Sequence, residues 1–77
     1  MKTIGLIGGM SWESTVSYYQ HFNHLVQANL GGLHSAKCII YSVDFAPIEK
    51  MQQQGQWQQA GDLLAHAALS LQSAGAD

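Results

Sequence analysis

The sequence predicts an α/β chain in the order β-α-β-α-α, built on a parallel sheet and ending before a third strand. Three observations carry this. Short β-branched apolar runs alternate with longer stretches whose apolar residues recur at three- and four-residue steps. Glycines stand where one period gives way to the other, as strand-to-helix turns and helix ends require. Two strands of one sheet joined by a helix run parallel through a right-handed crossover.

Each element has its own warrant. "KTIGLIG", residues 2–8, is a short apolar run closed by glycine and reads as a buried parallel strand. From Trp12 the period changes: Val16, Tyr19, Phe22, Val26 and Leu30 fall on one helical stripe. Ser11 is placed to cap that helix, Glu13 suits its positive first turn, and Gly31 and Gly32 supply a left-handed stop. "AKCIIYSV", residues 36–43, is the second strand. Asp44 opens a turn, Pro47 fits the first turn of a short helix, and Gly55 ends it. Trp57, Ala60, Leu63, Leu64, Ala67, Leu71 and Ala74 share a face of a last helix, with Gly75 as its cap. A parallel sheet normally has more than two strands and both faces covered, so a third strand is expected after this helix.

Composition narrows the function. The 77 residues make one small domain at most, and only 10% are charged against a usual value of about 25%. So little charge fits a surface that other protein covers. A net charge of −2 with three scattered lysines offers no footprint for nucleic acid. Cys38 is the sole cysteine, which excludes an internal disulfide and fits a reducing, cytoplasmic setting. Neither a signal peptide nor an apolar run of membrane-spanning length is present.

The stretch "GLIGGMSWEST", residues 5–15, carries the strongest chemical signal. Gly8 and Gly9 lie at the carboxyl end of a strand and just before a helix N-terminus, where open α/β sheets bind ligands and backbone N–H groups take anions. The competing reading is that these glycines serve only close strand-to-helix packing. A dinucleotide fingerprint fails, because the glycines read G-x-x-G-G and Asp44 lies well past the required spacing of about 20 residues. A P-loop fails too, since no Gly-Lys-Ser/Thr follows. His21 and His24 share a helix face without a third ligand, so no metal site is expected. Cys38 reads as a small buried hydrophobe within its strand. Asp44 caps a turn, and Gln52 falls beyond the same sheet edge as the glycine loop, with an amide able to donate and accept.

Taken with "GGLHSA", "SVDF" followed by "IE", "GQW" and "AGAD", that stretch closely resembles the opening third of the aspartate/glutamate racemases. The similarity extends over essentially the whole chain. It implies a Rossmann-like, mainly parallel-sheet domain that is one of two, with the active site in the cleft between them and with residues 1–77 as an incomplete N-terminal domain. It implies racemisation without pyridoxal phosphate or any other cofactor, on aspartate, glutamate or a related amino acid. One acid/base residue from each domain faces each side of the substrate Cα. It also implies a homodimer in the full enzymes.

Carried over residue by residue, the family's substrate contacts match Met10, through its backbone N–H with Gly9 and Ser11 adjacent, and Gln52. No catalytic residue carries over: both family acid/base positions fall beyond Asp77, and Cys38 occupies neither. Two expectations of different class follow. The chain is a racemase fragment inactive by itself, or it is a small carboxylate-binding or interaction protein without catalysis.

Overall fold

A computed structural model describes residues 1–77. Strand β1 (Ile4–Gly8) leads to helix α1 (Trp12–Leu30), strand β2 (Cys38–Ser42), helix α2 (Phe45–Gln53) and helix α3 (Trp57–Ser73). The two strands pair in parallel, from Ile4 opposite Cys38 to Gly8 opposite Ser42. Both are shorter than the apolar runs that contain them. Ile4 N–H donates to the Lys37 carbonyl at one end, and Val43 N–H donates to the Gly8 carbonyl at the other.

The two strand glycines show which helix covers which face. A Cβ on Gly5 would come 2.8 Å from the Ala76 side chain and 3.5 Å from Leu71, beyond α3 and within it. A Cβ on Gly8 would instead fall 2.6 Å from Thr15 of α1. Successive strand residues point to opposite faces, so α1 lies on one side of the sheet and α3 on the other. The small core sits on the α3 side: Ile48, Ala60, Ala67 and Leu71 are its buried members.

On the α1 side coverage is thin. Thr15, Phe22, Asn23 and Val26 are half-buried, and no α1 residue is fully buried. Of the stripe expected from sequence, Val16, Tyr19 and Leu30 are exposed. Strands lie about 4.8 Å apart, whereas a helix with its side chains is about 10–12 Å across, so two strands are too narrow to cover it. The helix is also longer than the strands: its 19 residues rise about 28 Å, so Leu30 overhangs the sheet. Asn23 Oδ1 accepts from Ala36 N–H at 2.9 Å and ties α1 to the approach of β2.

On α3 Trp57 is exposed, as is Ala74 at the cap that follows it, although their spacing put them on the packed face, while Leu63 and Leu64 are half-buried. Gly75, with φ of +108°, follows the Ala74 cap. Cys38 is half-buried, not enclosed, because it is the first residue of β2.

On the outer edge, just before β1, Thr3 is clasped by Asp77. Asp77 N–H donates to the Thr3 carbonyl at 2.9 Å. Thr3 N–H in turn donates to Asp77 Oδ2 at 2.7 Å. Beside this edge, Gly5, Ile7, Ala68, Leu69 and Ala76 line an open apolar recess of about 600 Å3. The accessible surface is 5476 Å2, against about 4600 Å2 for a compact monomer of this mass. The excess is apolar in part: Trp12, Leu25, Trp57 and Leu69 stand in solvent.

Candidate functional site

The turn from β1 into α1 is built by close approach. Gly9 has φ of +94°, and a Cβ there would lie 2.7 Å from Val43 N and nearer still to the Val43 carbonyl oxygen. Only glycine fits beside β2 at this point. Gly8 is buried against Thr15. The glycines therefore do serve tight packing, and that packing places the next residues at the carboxyl edge of the sheet.

What the turn leaves available is specific. Gly9 N–H is already used, donating to Thr15 Oγ1 at 3.1 Å. Met10 and Ser11 donate their backbone N–H groups to no acceptor in the chain. Ser11 occupies the N-cap position, with extended backbone (φ −145°), yet its side chain does not cap the helix as expected. Its Oγ lies 3.1 Å from Ser14 Oγ instead. The N–H groups of the first helical turn thus stay free of a side-chain cap, at the positive end of a 19-residue helix. Such an arrangement suits a carboxylate.

A shallow recess of about 190 Å3 opens here, lined by Gly8, Gly9, Met10, Ser11, Thr15 and Tyr18 among others. It brings three of the four expected substrate contacts together: Gly9, Met10 and Ser11. Gln52, half-buried in the last turn of α2, is not among its walls. No thiol, imidazole or carboxylate side chain lines it either, so it can hold an anion but offers no strong proton acceptor.

The remaining candidates lie elsewhere. Asp44 caps α2, its Oδ1 accepting from Ala46 N–H at 3.4 Å. Cys38 pairs with Ile4, at the end of the sheet opposite the glycine loop. His21 and His24 are exposed on α1, and no three His, Cys, Asp or Glu side chains gather to hold a metal ion. Thr15 and Tyr18 were not singled out from sequence. Their signal was available: positions four and seven residues beyond a Ser N-cap return to the same helix face as the loop.

A model of the Asp/Glu/Hydantoin racemase family matches residues 7–77. The crystal structure of a proposed Asp/Glu racemase from Yersinia pestis is similar at a TM-score of 0.96 and 63% sequence identity. The match covers 99% of this chain and 33% of that one, so the chain spans about a third of that relative's length. No helix is long and apolar enough to cross a membrane.

Proposed function

The chain belongs to the Asp/Glu/Hydantoin racemase family, and on that premise we propose that its 77 residues form one wall of an amino-acid racemase site. The observation that carries this is the pair of unused N–H groups on Met10 and Ser11, at the head of α1 and at the carboxyl edge of the sheet. In this reading they receive a carboxylate of aspartate, glutamate or a related amino acid. Gly9 permits the turn, and the Gln52 amide reaches the substrate from α2. As a carbanion forms at Cα, negative charge moves onto the α-carboxylate, so donors fixed at that oxygen help more in the transition state than before it.

Two-base racemisation also needs an acid and a base on opposite faces of Cα, in a cleft closed to water. The recess has neither group on its walls. We assign both to residues outside these 77, which fits a chain that spans a third of its relative. In this proposal the reaction needs no cofactor, the complete enzyme is a cytoplasmic homodimer, and this chain alone does not racemise. A second reading has support in the same bare recess: carboxylate binding without chemistry.

Exchange of the Cα hydrogen of L-aspartate and L-glutamate in heavy water, followed by proton NMR, tests both. The 77-residue chain should exchange neither above a buffer blank. Adding the separately expressed remainder of the Yersinia pestis relative should restore exchange, and Gln52→Ala should then lower it about tenfold, the loss of a charge-assisted hydrogen bond. Aspartate binding with no restored exchange would favour the second reading. Exchange by the chain alone, abolished by Cys38→Ala, would overturn the proposal.

A further inference from the structure

We propose that Thr15 is a positioning residue of the glycine loop, its single hydroxyl holding the backbone on both sides of Met10 so that Met10 and Ser11 keep their N–H groups for the ligand. This rests on the carboxylate-binding reading above.

The geometry is specific to Thr15. A hydroxyl carries one proton and two lone pairs. The Thr15 hydroxyl accepts from Gly9 N–H at 3.1 Å. It also donates to the Ser11 carbonyl at 3.4 Å. Met10 is bracketed by these two bonds. The Thr15 side chain meets Gly8 as well, where a Cβ would fall 2.6 Å from both Cγ2 and Oγ1. One side chain therefore touches or bonds residues 8, 9 and 11 and leaves residue 10 unengaged.

Removing the hydroxyl would strand the Gly9 N–H, which is half-buried and has no other partner. A half-buried donor without an acceptor seeks one, and the loop would relax to provide it. The Ser11–Ser14 hydroxyl contact completes the arrangement, because it occupies the side chain that would otherwise cap the helix and compete with the ligand.

Two substitutions separate the hydroxyl from the bulk. Thr15→Val keeps a methyl against Gly8 and deletes both hydrogen bonds; Thr15→Ser keeps the hydroxyl and deletes the methyl. Amide spectra of the 77-residue chain, titrated with L-aspartate, should show Met10 and Ser11 responding in the unmodified protein. Thr15→Val should weaken that binding about tenfold, and Thr15→Ser should stay within about twofold. Thr15→Val binding as well as the unmodified chain, or Thr15→Ser failing equally, would overturn the proposal.

A ligand-free readout keeps the test independent of binding. Hydrogen exchange at the Gly9 amide should rise about tenfold in Thr15→Val, from loss of one hydrogen bond, and stay near the unmodified rate in Thr15→Ser. If Met10 and Ser11 ignore aspartate while Gly9 behaves in this way, the carboxylate reading fails and the bracing role of Thr15 survives. An unchanged Gly9 amide in Thr15→Val sinks the bracing role itself.

Discussion

Replacing Gly9 with alanine tests whether the loop's shape is fixed by steric necessity. Two costs add. An L-residue held in the left-handed region loses about 1–2 kcal/mol, and Gly9 sits at φ of +94°. The new Cβ also runs into backbone: Val43 N stands 2.7 Å away, with the Val43 carbonyl oxygen nearer, and neither can rotate aside as a side chain would. Displacing packed structure to admit one methyl costs about 1–3 kcal/mol. The sum, about 2–5 kcal/mol, is a large share of the roughly 4–12 kcal/mol that a chain of this size has in total.

Gly55→Ala supplies the control, since Gly55 also has positive φ (+71°) but meets nothing within 4 Å. Both variants share the left-handed penalty and the same restriction of the unfolded chain, so their difference isolates the clash with Val43. Urea unfolding followed by circular dichroism should place Gly9→Ala at least about 1 M below Gly55→Ala, given a slope near 1 kcal/mol per molar. Coincident midpoints would refute the steric account and leave Gly9 needed only for its backbone angle.

Leu71→Ala should destabilise by about 2–5 kcal/mol in the same assay, because Leu71 is buried against Gly5 on the best-packed face of the sheet; a loss below about 1 kcal/mol would mean that α3 does not hold the sheet. Amide exchange along β1 should alternate. Ile4, Leu6 and Gly8 share the edge that faces β2 and should be slow; Gly5 and Ile7 face the open edge and should be fast. Uniform protection would show that the outer edge has found a partner.

Much of the fold was legible because local rules decided it. The 3.6-residue period and the Gly31–Gly32 stop delimit α1 at Trp12 and Leu30, and both glycines have positive φ. Asp44 caps α2 as its position suggested. Strand ends were less legible, since they depend on where pairing stops and not on where apolar residues stop. The covered side of α1 was legible only in part, since Phe22 and Val26 of the expected stripe are half-buried while Val16, Tyr19 and Leu30 are exposed. A hydrophobic stripe favours Val16, but the place next to the sheet is set by Gly8, which leaves a gap that Thr15 fills. At the site, the loop's placement beside a helix N-terminus could be read from glycine and serine positions. Which N–H groups remain free could not, because that depends on the Thr15 hydroxyl taking Gly9 and on Ser11 turning to Ser14.

The clasp between Thr3 and Asp77 joins residues 74 positions apart. Closing a loop of that length in a disordered chain costs about 4 kcal/mol. Two exposed hydrogen bonds return about 1–3 kcal/mol, less than the closure costs. The clasp therefore cannot lead folding; it closes only after packing of α3 on β1 has already brought its ends together. Its formation marks the end of the process. Even after it closes, Gly5 and Ile7 leave the outer edge of β1 without a strand partner, and that edge stays open to joining the wrong strand.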